Sequence, residues 1–274
     1  MTTVVFLHIP KTAGQTIHHQ LARAIGPAHV SPIRTHTQAP DQTQLPPGYL
    51  LHSGHLDWTD LDSLSQDRFV FTVLRDPRER LASFYFYLHK VAQATPAAEI
   101  AAGQRPDLHN LLTRSPDDYF FGGDAGWQAF IGDHFDNFYC AYFATQRVRG
   151  HSLLAGLDRA EVLARARSGL ARMDGIYWTD RLDLLERDLR RKLGLRLHLV
   201  ENRQNEGPLP AGQPRWPALM ARFESDAARQ RMEGLVALDL ELCAGLPQPG
   251  PRPEPAALLL WQRLRDQVLS RISR

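Results

Sequence analysis

Cysteine is nearly absent: Cys140 and Cys243 are the only two in 274 residues, far apart and without C-x-x-C or metal-ligand spacing. That argues against a disulfide framework and a thiolate metal site, and fits a reducing compartment. No stretch approaches the roughly 20 apolar residues of a membrane-spanning helix. The N-terminus enters an apolar run within a few residues, without the basic and apolar segments of an export signal. Cytoplasm is the expected setting. Charge of either sign is not in excess, with a formal net of +2, so no basic field marks a nucleic-acid partner and none is expected.

What is present suffices for a large core. At 43% hydrophobic and 23% charged residues, one α/β domain over the whole chain is the default. Apolar periodicity predicts strands at 3–9, 49–53, 68–74 and 175–178, and helices at 14–25, from Pro77 onward, from Asp158 through Met173, and at 182–193 before Gly194. A Pro- and Gln-rich loop is expected at 31–48, and short helices and loops over the aromatic-rich stretch 119–143. Strands alternating with helices imply a parallel sheet.

The most informative segment is His8-Ile9-Pro10-Lys11-Thr12-Ala13-Gly14-Gln15-Thr16, between the run Val4-Val5-Phe6-Leu7 and a helix striped by Ile17, Leu21 and Ile25. A loop there meets the positive end of a helix dipole and its unpaired N–H groups. Gly14 is expected to let an anion approach the backbone, and Lys11 adds a full charge. It is not a Walker A loop: no glycine precedes Lys11, and the lysine comes before the glycine. An ordinary ATP or GTP site is disfavoured.

The string P-K-T-A-G-Q-T resembles the 5′-phosphosulfate loop of sulfotransferases that use 3′-phosphoadenosine 5′-phosphosulfate (PAPS). Phe71-Thr72-Val73-Leu74-Arg75-Asp76-Pro77, with Ser83 six residues past the proline, resembles the 3′-phosphate motif of the same family. Taken singly, each has a plain structural reading: an α/β turn, and a helix opened by an Asp-Pro cap. Together and in this order they point to a nucleotide site. Asp136-Asn137-Phe138-Tyr139-Cys140, the block from Asp174 to Asp183, and Glu201-Asn202-Arg203 resemble later segments of the carbohydrate sulfotransferases. The resemblance covers a core of about 3–205 and leaves a helical extension at about 215–274. The animal carbohydrate enzymes of this motif are Golgi membrane proteins, and this chain departs from them in lacking a spanning run.

The resemblance implies a three-layer α/β/α fold with a central parallel sheet, of the P-loop-NTPase-like kind. It implies sulfonate transfer from PAPS to a hydroxyl of a carbohydrate or glycosylated acceptor, with no metal. It assigns Lys11 to the leaving bridge oxygen. The backbone of Ala13, Gly14, Gln15 and Thr16, with the hydroxyls of Thr12 and Thr16, would hold the 5′ end, and Arg75 and Ser83 the 3′-phosphate. A Gly-His pair at Gly54-His55 resembles the segment carrying the base in uronyl 2-O-sulfotransferases and their bacterial relatives, which makes His55 the candidate base with His52 its rival. If a strand runs through both, their spacing sets them on opposite faces, so at most one faces the cleft, and H-x-x-H-x-D does not form a metal site.

Other features take plain readings. His18, His19 and His89 are read as structural or exposed, and His8 as a support of the loop. Trp127, Phe130, Tyr139, Tyr142 and Phe143 are read as core. The apolar stripe Leu260, Trp261, Leu264, Val268 and Ile272 with interspersed arginines suits docking on the same domain, a homodimer or a peripheral contact. Two other functions remain open: a scaffold that keeps the nucleotide pocket without turnover, and a Mg²⁺-dependent phosphoryl-transfer enzyme using Asp76.

Overall fold

A computed structural model describes residues 2–247 except 41, 104 and 201–212. The segment Glu201-Asn202-Arg203 and the helix expected near 255–274 lie outside the described residues. In chain order the elements are β1 (Thr3–Leu7), α1 (Gly14–Ile25), β2 (Leu51–Gly54), β3 (Arg68–Leu74), α2 (Pro77–Ala94), α3 (Ala97–Ala101), α4 (Pro106–Thr113), α5 (Pro116–Phe121), α6 (Ala125–His134), α7 (Phe138–Thr145), α8 (Arg159–Leu170), β4 (Gly175–Trp178), α9 (Leu182–Leu193), α10 (Arg215–Met220), α11 (Asp226–Gly234) and α12 (Ala237–Ala244). No helix among these is long and apolar enough to cross a membrane.

The four strands form one all-parallel sheet in the order β2-β1-β3-β4. Period-two alternation decides which side chains reach which layer. Val5, Leu7, Val70 and Leu74 pack with Phe143, Leu163 and Leu242 of α7, α8 and α12. Val4, Phe6, Phe71 and Val73 pack with Ile17 and Leu21 of α1 and with Leu185 and Leu189 of α9. The result is the α/β architecture that the resemblance implies, helices covering both faces of a parallel sheet. A separate apolar cluster joins Leu81 and Phe86 of α2 to Leu108, Phe120, Trp127, Trp216 and Met232.

Several expected elements appear with their expected bounds, including α1, β3, β4 and α9, the last ended by Gly194 at φ 69°. Asp158 does cap α8 and forms a capping box with Glu161, but the helix closes at Leu170, short of Met173. β1 also stops early, at Leu7, because the chain turns at Lys11 into the loop. In register, Leu7 pairs with Gly54 and Thr72, so the three strands deliver Lys11, His55 and Arg75 to one edge of the sheet. There the chain passes from β2 on one side of β1 to β3 on the other, the switch point where open α/β sheets bind ligands.

The segments resembling later family motifs act as joints. Asn137 Oδ1 accepts from the N–H groups of Leu238 and Asp239, at 2.7 and 3.2 Å, and Asp174 Oδ2 accepts from Val70 N at 2.8 Å. Asp239, 2% exposed, accepts from Tyr139 N at 3.0 Å and Cys140 N at 2.8 Å, closing the N-terminus of α7 from a hundred residues away. Removing that carboxylate strands two buried donors. Asp239→Ala is expected to cost about 1–3 kcal/mol of folding stability, read from the denaturant midpoint. A midpoint unchanged from the parent would contradict this role.

Candidate active site

The loop between β1 and α1 holds two non-glycine residues in the left-handed region, Lys11 at φ 73° and Ala13 at φ 64°. Such residues cost of order 1–3 kcal/mol and collect at ligand sites. The left-handed turns curl the backbone around the start of α1, the concavity that binds anions. Ala13 is the N-cap, no side chain caps the helix, and its first turn carries no acid. A helix start without a side-chain cap or a first-turn acid presents the positive end of its dipole to the loop.

Two details of the loop differ from expectation. Thr12 is fully buried and donates its hydroxyl hydrogen to Ile9 O at 2.8 Å, fixing the turn, so it offers an anion its backbone rather than its hydroxyl. Gly14 is glycine for a packing reason: a Cβ there would lie 1.7 to 2.1 Å from the His8 imidazole. Gln15 is exposed and Thr16 buried in the first turn.

His8, expected to support the loop, does so from the interior. It is 5% exposed, stacks against Phe6 and lies 4.2 Å from the His55 ring centroid. Burial, with the neighbouring His55, Arg34, His18 and Lys11 charges, holds it neutral, well below the ordinary imidazole range. Its carbonyl oxygen accepts a 2.7 Å hydrogen bond from His55 Nδ1. A carbonyl takes only a proton, so His55 is the Nδ1–H tautomer and its Nε2 carries the lone pair. Burial lowers His55 to about 4, opposed by the bond to His8 and assisted by Arg34 and His36. It is an unprotonated base at neutral pH.

His52 is elsewhere. It sits within β2, paired with Val5, fully buried, and neither ring nitrogen has a hydrogen-bond partner. His55 follows the strand and is only partly buried. Residues 30–36 run beside β2, with bridges from Val30 to Leu51 and Thr35 to His55, and Gly54 is glycine because a Cβ would fall 2.1 Å from Arg34 O. His18, read as structural, is buried and bonded through Nε2 to the Arg34 guanidinium.

The second motif lies across the crevice. Asp76 caps α2 through Glu79 N at 3.0 Å, and Arg75 Nη2 meets Glu79 Oε2 at 3.1 Å. Tyr139, buried in the core, fixes the Arg75 backbone twice, its hydroxyl donating to Arg75 O at 2.9 Å and accepting from Arg75 N at 3.1 Å. Ser83, 7% exposed, lies one turn beyond Glu79 on the same side of α2. Tyr87 and Lys90 continue that stripe, and Lys11 Nζ lies 4.1 Å from the Tyr87 ring centroid. Burial, then the charges of Arg75, Arg215 and Lys90, pull Lys11 down to about 8. The two motifs therefore meet in one cationic crevice.

Arg215 is the residue that reading the sequence missed. It stands at the start of α10, beyond a proline-rich stretch, and no motif surrounds it. Glu79 Oε1 accepts from Arg215 N at 2.7 Å and Trp216 N at 2.9 Å, so one carboxylate ties Arg75 to α10. Its Nε is buried without a hydrogen-bond partner. Lys11, Arg75 and Arg215 thus lie near one another, with Glu79 pairing the Arg75 guanidinium and holding the backbone of Arg215, a concentration of positive charge suited to anionic groups. Among the described residues no cluster of three or more His, Cys, Asp or Glu is arranged to hold a metal ion.

Residues 2–121 match the family model described as the sulfotransferase family, a span containing the loop, the candidate base and the second motif. The Asp136, Asp174 and Glu201 segments lie beyond the match. No curated protein matches the chain.

The His8 and Gly14 packing predicts a compensating pair. Gly14→Ala is expected to lose about 1–3 kcal/mol through overpacking, and the double variant with His8→Ala to recover part of it because the ring is gone. Thermal or urea unfolding measures both. Strict additivity of the two losses would contradict the contact.

Proposed function

We propose that this protein, whose residues 2–121 match the sulfotransferase family, transfers the sulfonate of PAPS to a hydroxyl of a carbohydrate or glycosylated acceptor. The observation that supports this most is the convergence of Lys11, Arg75 and Arg215 beside an uncapped helix start, with a neutral, tautomer-fixed histidine just past the adjoining strand. The residues fit a nucleotide carrying phosphate at both its 5′ and 3′ ends. The backbone from Ala13 to Thr16 and Lys11 would hold the 5′ end, and Arg75 and Ser83 the 3′-phosphate.

PAPS supplies an activated sulfonate whose leaving group is a phosphate. His55 Nε2 takes the proton of the acceptor hydroxyl as its oxygen bonds to sulfur. Its Nδ1–H stays on His8 O, so the imidazolium that forms remains oriented. Lys11 and the loop N–H groups stabilise the negative charge gathering on the departing phosphate oxygen, where preorganised donors act most strongly. Glu79 holds Arg75 and α10 in register, and Asp76 serves as a helix cap.

Transfer of radiolabelled sulfonate from PAPS to glycoside acceptors tests the reading. Lys11→Ala is expected to lower kcat about 10²–10³-fold and His55→Ala about 10²–10⁴-fold. Arg75→Ala is expected chiefly to weaken nucleotide binding, about ten- to a hundredfold. A His55→Ala protein of undiminished rate would remove the base assignment.

The pH profile carries its own signature. His55 works unprotonated, so kcat/KM falls as pH drops through about 4. Lys11 works protonated, so kcat/KM falls as pH rises through about 8. Bound anions favour the ammonium, so the alkaline limb of kcat lies at higher pH than that of kcat/KM. Coincident alkaline limbs would contradict the role of Lys11.

A further inference from the structure

Beside the cationic crevice, residues of α2, α4 and α6 line an open cavity of about 620 Å³. Near-parallel rings run through its wall. Trp127 and Phe130 are 4.7 Å apart, Phe130 and His134 4.3 Å, His134 and Phe84 5.9 Å, and Phe84 and Tyr87 6.5 Å between centroids, with interplanar angles of 5° to 28°. The run ends at the ring over which Lys11 Nζ sits. Tyr87 is 42% exposed, unusual for so large a ring. One strip of aromatic surface thus leads from the cavity to the reacting lysine.

The cavity's charges are unevenly committed. Arg105 is held by Asp107 through two bonds of 3.1 and 2.9 Å, and Asp124 caps α6 through Trp127 N at 2.8 Å. Arg114 and Arg149 also line it, and among the described residues neither has a carboxylate partner, Arg114 lying only over the Trp127 ring. Arg149 also acts on two neighbouring imidazoles. After burial, its charge helps lower His36, whose backbone N–H donates to His55 O at 2.8 Å. In His134 it adds to the burial that holds that ring at about 4, against the opposing bond to Phe130 O.

We infer that this cavity is the acceptor subsite and that it selects an acidic, ring-bearing acceptor, whose anionic group pairs with Arg114 and Arg149 while its ring lies along the aromatic strip. The inference rests on the sulfonate-transfer reading. Neutral rings would fill the apolar strip but leave two guanidinium groups without a counterion, and a simple anion would leave the strip uncovered. Uronic glycosides and phenolic acids share this chemistry.

Calorimetry on the full chain tests it with two matched pairs: p-nitrophenyl β-glucuronide against the β-glucoside, and 4-hydroxyphenylacetate against 4-methylphenol. Each is titrated into protein saturated with 3′-phosphoadenosine 5′-phosphate. In at least one pair the acid is expected to bind about tenfold more tightly than its neutral partner, and the pair that responds identifies the source. That preference should vanish in the Arg114→Gln/Arg149→Gln variant and return in part with lysine at both positions, while nucleotide affinity stays at the parent value. Equal binding of acid and neutral partner in both pairs, no binding of either acid at millimolar concentration, or a preference that survives the double variant overturns the inference. A parent that fails to bind the nucleotide overturns the sulfonate-transfer reading instead.

Discussion

The active edge depends on where one imidazole is wedged. The His8 ring fills the space above the Gly14 α-carbon, stacks between Phe6 and His55, and leaves its carbonyl as the acceptor for His55 Nδ1. The packing of the loop between β1 and α1 and the tautomer of His55 are set by the same residue. A larger residue at 14 would displace the ring that stacks on His55. Its burial keeps it uncharged, which a ring beside Lys11 and Arg34 requires.

Across the crevice the constraint is electrostatic. Arg75, Arg215 and Lys90 repel Lys11, and Arg215 repels Arg75, and two of the loop residues adopt left-handed backbone. These are costs carried by the folded protein without a ligand. Glu79 and Tyr139 hold the arginine nearest the second motif against that repulsion, and Asp239 in turn holds the helix that carries Tyr139. Under the proposed function a bound anion would offset this repulsion, and a ligand with more than one negative group would offset most of it.

Much of this was legible from residue order. β-branched and aromatic runs located β3 and β4, Asp76-Pro77 opened α2, and the Leu182, Leu185 and Leu189 stripe marked α9 up to Gly194, because these signals are local. The two motifs were recognisable for the same reason, and the aromatics read as core include Tyr139, Tyr142 and Phe143, all nearly fully buried. What escaped was set by packing between distant segments. Gly14 answers to His8, Thr12 turns inward to Ile9, and Arg215 reaches the site only because Glu79, over a hundred residues earlier, anchors the start of α10. Nothing near Arg215 in the chain announces it. The different settings of His52 and His55 likewise follow from the end of β2, which falls between them.

Under the proposed function the crevice receives a nucleotide phosphorylated at both ends, held without a metal. Calorimetric titration of the parent protein with 3′-phosphoadenosine 5′-phosphate, beside ADP and ATP with and without Mg²⁺, tests it most directly. The account predicts tight, metal-independent binding of the 3′-phosphorylated nucleotide and much weaker binding of the others. Preference for Mg²⁺-ATP, or no binding of any of them, would contradict it.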